Sequence, residues 1–89
     1  MFQSRLIISG RVQGVCYRVS CLEMAKELRL NGWVRNLPDG NVEVLAQGEE
    51  KEIKELIEWC KNGPPGARVS DVKVNWEEIQ EGFDDFYIR

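Results

Sequence analysis

Two helices packed on one face of an antiparallel sheet, an α+β sandwich, is the fold class that this sequence predicts. Three observations point to it. Two stretches repeat their apolar residues at the helical period, four stretches cluster or alternate them as strands do, and the two kinds interleave in the order βαββαβ. At 89 residues the chain is expected to make one domain, residues 1–89. A domain this short buries only roughly 60–65% of the surface its unfolded chain exposes. Any site must therefore be small and lie at an edge or a loop.

The first strand is Arg5 to Val12, rich in Leu and Ile. Gln13-Gly14-Val15-Cys16 is turn-like. Val19 to Leu30 reads as a helix, with Cys21, Ala25 and Leu28 at helical spacing and Glu23, Lys26, Glu27 and Arg29 on other faces. Asn31-Gly32 is expected to close it as a left-handed C-cap. Trp33 to Leu37 reads as a strand, and Pro38-Asp39-Gly40-Asn41 as a turn. Val42, Val44 and Ala46 then alternate with Glu43, Leu45 and Gln47, completing a hairpin. The second helix runs from about Glu49 to Asn62, where Ile53, Leu56, Ile57 and Cys60 form a clean apolar stripe. Glu49, Glu50 and Glu52 suit the positive end of its dipole, and Gly63-Pro64-Pro65-Gly66 stops it. Val72, Val74 and Trp76 alternate with Lys73, Asn75 and Glu77 in a further strand, and Phe86 to Arg89 supply a short fifth one. This is the ferredoxin-like layout, with an antiparallel sheet of four to five strands. Such a widely used fold does not decide function.

Composition excludes several classes of function. With 43% hydrophobic and 30% charged residues, the chain matches soluble globular proteins. No apolar run approaches the ~18 residues of a membrane span, and Met1 to Gly10 lacks the length and cleavage site of a signal peptide. A cytoplasmic, monomeric protein is expected. Net charge is −3, yet residues 1–18 carry Arg5, Arg11 and Arg18 and no acid. That imbalance favours a small anion locally, whereas overall acidity disfavours a nucleic-acid partner. Base stacking on Trp33 and Trp76 is the only feature that would suit an RNA-binding module. There is no histidine, which removes the commonest general base. Cys16, Cys21 and Cys60 form no C-x-x-C pair, so neither a disulfide framework nor a zinc site is indicated. No cofactor is expected. Cys21 and Cys60 fall on the two apolar stripes, where antiparallel helices make a bridge between them geometrically conceivable.

The chemistry concentrates between the first strand and the first helix, in Gly10-Arg11-Val12-Gln13-Gly14-Val15-Cys16-Tyr17-Arg18. Backbone N–H groups at a helix N-terminus converge on anions, Gly14 permits a positive φ, and Arg18 adds a permanently charged, bidentate phosphate contact. The loop is neither a Walker loop nor a dinucleotide fingerprint, because both required spacings are absent. Only Tyr17 separates Cys16 from Arg18, so one loop cannot present them as the nucleophile and anion ligand of a phosphocysteine mechanism.

These residues resemble the acylphosphatase family. Its first motif, G-x-V-Q-G-V-x-aromatic-Arg, is matched from Gly10 to Arg18, with Tyr17 where Phe is usual. Its second, G-aromatic-V-basic-Asn followed by spaced Gly, Val and Gly, is matched by Gly32-Trp33-Val34-Arg35-Asn36, Gly40, Val42 and Gly48. The resemblance implies hydrolysis of the carboxyl–phosphate anhydride of small acyl phosphates. Arg18, with the backbone of Gln13, Gly14, Val15, Cys16 and Tyr17, would bind the phosphoryl group or another small anion, and Asn36 would orient the attacking water. The residue inventory suits that reaction. A carboxylate leaves with a conjugate-acid pKa of about 4, so it needs no proton donor. The same fold without catalysis, as a phosphate-binding or interaction domain, is the alternative.

Overall fold

The computed structural model describes all 89 residues. Its elements are β1 (Phe2–Arg11), α1 (Tyr17–Glu27), β2 (Asn31–Asn36), β3 (Val42–Gly48), α2 (Glu50–Cys60), β4 (Arg68–Glu77) and β5 (Phe86–Ile88). They build one five-stranded sheet in the order β4-β1-β3-β2-β5. One face of the sheet supplies Leu6, Ile8, Val34, Val42, Val44, Ala46 and Phe86 to the core. The helices supply Cys21 and Ala25 from α1 and Ile53, Leu56, Ile57 and Cys60 from α2, all on the predicted stripes, and Tyr17 joins them from the first turn of α1. Leu28, expected on the first stripe, is only partly buried. No helix is long and apolar enough to cross a membrane.

Two local expectations need correction. The sheet is mixed: β1 to β4 pair antiparallel, but β5 runs parallel to β2. Strands β2 and β4 run in opposite directions, so a chain that reverses after β4 and reaches the free edge of β2 must arrive parallel to it. The second correction concerns the end of α1. Arg29, at φ 59°, takes the left-handed position there. Its N–H donates to the Lys26 carbonyl, and the Leu30 N–H to the Ala25 carbonyl, which is a Schellman closure. Asn31 already belongs to β2. Gly32 answers a different demand: a Cβ there would lie 1.9 Å from the Leu45 carbonyl oxygen.

Strand β3, at the centre of the sheet, is buried on both faces. The segment 78–85 crosses the helix-free face, and Gln47 fixes it by donating to the Glu81 carbonyl at 2.6 Å and accepting from the Phe83 N–H at 3.0 Å. On the same face Glu43 binds Arg5 at 2.8 Å and Arg35 at 2.6 Å. Arg5 also meets Glu77 at 2.9 Å and holds its carboxyl below the usual carboxylate range through that hydrogen bond. Trp33 is 4% exposed and lies beneath the guanidinium groups of Arg5, Arg35 and Arg89. It is closed to base stacking. The outer strand β4 leaves Val74 and Trp76 substantially exposed, with Phe2 edge-to-face on Trp76.

Candidate active site

The site starts where β1 leaves the sheet. The β1–β4 register shifts between Ser9 and Gly10. Gly10 has φ 120°, and a Cβ there would lie 2.1 Å from the Arg68 carbonyl oxygen. Only glycine permits this bulge, which turns the chain out of the ladder and into the loop. In the loop, Gly14 (φ 73°) and Cys16 (φ 64°) are left-handed, while Val15 and Tyr17 keep negative φ. Alternation of this kind points successive N–H groups towards one side, as in anion-binding nests.

Those N–H groups are free. The Ser20 N–H is the first to bond back, to the Cys16 carbonyl at 3.1 Å. The N–H groups from Gly14 to Val19 make no backbone bond, α1 has no side-chain cap, and its first turn holds no acid. An α-helix normally leaves four such donors, and here nothing in the chain neutralises them. Arg18 projects from the same turn, half-buried and without an ion pair. The exposed Cys16 thiol occupies the N-cap position.

Tyr17 anchors the turn. It is 1% exposed, its hydroxyl donates to the Cys60 carbonyl at 2.7 Å, and its ring lies 5.3 Å from that of Trp59. Burial pushes the phenol pKa strongly upward, and the neighbouring Cys60 adds to the shift. Tyr17 therefore contributes its backbone to the loop, while its side chain belongs to the core. Cys21 and Cys60 meet behind it as free, buried thiols. A bond to Cys60, then burial, raises the Cys21 pKa well above the ordinary thiol range.

Asn36 arrives from the sheet. The register places Asn36 beside Val42, and Val42 beside Ile8. All three share the helix side, at the end of the sheet where β1 enters the loop. The Asn36 Oδ1 is buried and has no hydrogen-bond partner, although buried polar atoms are nearly always paired. The Gln13 side chain turns away from the loop: its Nε2 donates to the carbonyls of Leu37 at 2.8 Å and Asn41 at 2.9 Å. Sequence reasoning assigned only the Gln13 backbone to the site and missed this clamp, since nothing local signals a contact across 24 residues. Arg35 lies on the opposite face with Glu43 and adds nothing to the cradle.

None of the larger surface concavities is lined by Arg18 or Asn36. The largest, about 600 Å³, runs along charged side chains of α2, from Glu50 to Glu58, where Lys54 is paired with Glu50. A phosphoryl-sized anion needs a ring of donors rather than a cavity. A model of the acylphosphatase family matches residues 4–88. The chain belongs to the acylphosphatase family. It is 49% identical to the acylphosphatase of Haloquadratum walsbyi, over 98% of its own length and 92% of that protein. The crystal structure of acylphosphatase from Bacillus subtilis superposes with a TM-score of 0.96 at 42% identity, covering 100% of this chain and 99% of the other. A further similarity, at 31% identity and a TM-score of 0.83, is to full-length HypF in its phosphate- and nucleotide-bound form, where this chain spans 12% of the larger protein. Acylphosphatase is thus the enzyme class, and the ferredoxin-like fold is shared with acylphosphatases of known structure.

Proposed function

We propose that this acylphosphatase hydrolyses small acyl phosphates by direct attack of water on phosphorus. In this reading Arg18 and the N–H groups of the Gln13–Arg18 loop hold the phosphoryl oxygens, and Asn36 places the water. The observation that carries it is the buried, unpartnered Asn36 Oδ1, at the end of the sheet from which the donor-rich loop departs. Rotation of the side-chain amide opens that oxygen to a water, which donates to it and turns a lone pair towards a phosphoryl group seated on α1. As the new P–O bond forms, the bond from phosphorus to the acyl oxygen breaks, and its electron pair leaves on the carboxylate. One water proton stays on the attacking oxygen and the other passes to a non-bridging phosphoryl oxygen, giving carboxylate and dihydrogen phosphate. Charge in the loose transition state spreads over the phosphoryl oxygens, where fixed donors and a guanidinium act most strongly.

The leaving carboxylate requires no metal and no acid, so the reaction is metal-independent in this reading. A bell-shaped pH profile following a protein carboxylate would count against the substrate oxygen as proton acceptor. All the residues named lie in one copy of the chain, which suits a monomer, and the adjacent reduced thiols Cys21 and Cys60 suit a cytoplasmic setting.

The test is turnover of benzoyl phosphate at neutral pH in chelator, beside Arg18→Ala, Asn36→Ala and a phosphomonoester control. Turnover by the wild type, lost in both variants and absent on the monoester, is expected. A folded wild type with no turnover above the uncatalysed rate would leave the alternative, a phosphate-binding or interaction domain of the same fold.

A further inference from the structure

Gln13 opens the anion cradle, yet its side chain serves the opposite wall. A primary amide carries two N–H bonds, and the Gln13 Nε2 has two acceptors, the Leu37 and Asn41 carbonyls. Neither bond is left for a phosphoryl oxygen. The two carbonyls bracket the β2–β3 turn, which already holds its own shape. There the Leu37 N–H donates to the Asn41 carbonyl at 2.8 Å, the Gly40 N–H to the Leu37 carbonyl at 3.2 Å, and the Asn41 N–H to Asp39 Oδ1 at 3.0 Å. Gln13 is therefore not needed to fold the turn. What it fixes is the place of the turn relative to the loop, and Leu37 is the residue next to Asn36.

We infer that Gln13 is the positioning residue of the reaction: it sets the separation between the cradle that holds the phosphoryl group and the amide oxygen that places the water. This rests on the function proposed above. In-line attack tolerates little misplacement, since an error of about 1 Å costs on the order of 100-fold in rate. Binding of phosphate depends only on the cradle side and is largely spared when the clamp is cut.

Two variants separate this role from a structural one. Gln13→Met keeps the side-chain length and removes both donors. Its kcat is expected to fall on the order of 10- to 100-fold, with the inhibition constant for inorganic phosphate within about threefold of wild type. Gln13→Glu places an acceptor against two carbonyls, and protonation restores one O–H donor. Starting from a carboxyl pKa of about 4.3 that the two carbonyls push upward, its kcat relative to wild type rises as pH falls from about 8 to about 5, while the ratio for Gln13→Met stays flat. Wild-type kcat in Gln13→Met would overturn the inference. So would a loss confined to phosphate affinity, which would make the side chain a phosphoryl ligand. In the wild-type protein, nuclear magnetic resonance should show the loop amides shifting as inorganic phosphate saturates while the Gln13 side-chain amide protons stay in place. Equal movement of those protons would also overturn it, without any variant having to fold. Absence of turnover in wild type would instead sink the proposed function.

Discussion

Helix α2 begins with Glu50 and Glu52 in its first turn after an extended Glu49, whereas helix α1 begins with no acid at all after a left-handed Cys16. Both ends carry the same partial positive charge and the same orphan N–H groups. In α2 the chain supplies its own counter-charge and the end is electrostatically spent. In α1 the chain withholds it, and even adds the unpaired Arg18. The lesson is that a helix N-terminus becomes a candidate anion site when the sequence declines to neutralise it. In the proposed function, the stability that a local acid would give α1 is left for the phosphoryl group to supply.

The largest effect expected is on the α1 side. Arg18→Ala should lower kcat/KM for benzoyl phosphate on the order of 1,000-fold, the scale at which a guanidinium stabilises a phosphoryl transition state. Loss of less than about tenfold, roughly 1.4 kcal/mol, would mean that the loop amides suffice without it. Next comes an attempt to make α1 resemble α2. Val19 is 52% exposed in the first turn, so Val19→Glu fits sterically and adds the missing acid. Like-charge repulsion should weaken phosphate inhibition by about tenfold, while thermal unfolding shifts upward by a few tenths of a kcal/mol. Unchanged phosphate affinity would break the comparison.

A third change tests how α1 is held without a cap. Tyr17→Phe leaves the Cys60 carbonyl unpaired, at a cost of about 1 kcal/mol measured by denaturant unfolding. The same buried cluster fixes a pH response. The Cys21 and Tyr17 pKa values are raised in the folded state, so the unfolded chain loses these protons first. Their contribution is complete below the unfolded values and drains away as pH rises. Melting temperature should fall from about pH 8.5 upward, and Cys21→Ala should remove the first part of that fall. The smallest effect lies at the other helix. Glu50→Gln with Glu52→Gln should cost about 0.3–1 kcal/mol per charge, and the Glu50–Lys54 pair at 3.1 Å adds a few tenths. Turnover should not change, and a fall in turnover would show that the two ends are coupled.

Much of this contrast can be read in the sequence. The acids at 49, 50 and 52, their absence before residue 19, and the stripes of both helices are local patterns. So are Gly10, Gly14 and Arg18, as well as Asn36 at its motif position. The site features that escaped are those made between distant segments. The Gln13 clamp joins the loop to a turn 24 residues away, and the Tyr17 hydroxyl reaches 43 residues along the chain to Cys60. The parallel docking of β5 follows from sheet order, which hydrophobic periodicity does not encode. The left-handed residue at the end of α1 was misplaced for another reason. Gly32 is the obvious candidate for such a position, but its freedom is taken up by the close approach of Leu45, which leaves Arg29 to adopt the strained conformation.

The placing of β1 inside the sheet also has a consequence in time. Gln3 pairs with Gln47 on one side and Glu77 on the other, the latter 74 residues away. During synthesis β1 therefore stays half-paired until β4 has been made. The bulge that launches the loop forms at Gly10 against the Arg68 carbonyl, so it too waits for β4. Contacts this distant in sequence form slowly. The bulge at the mouth of the loop thus depends on a strand from the far end of the fold.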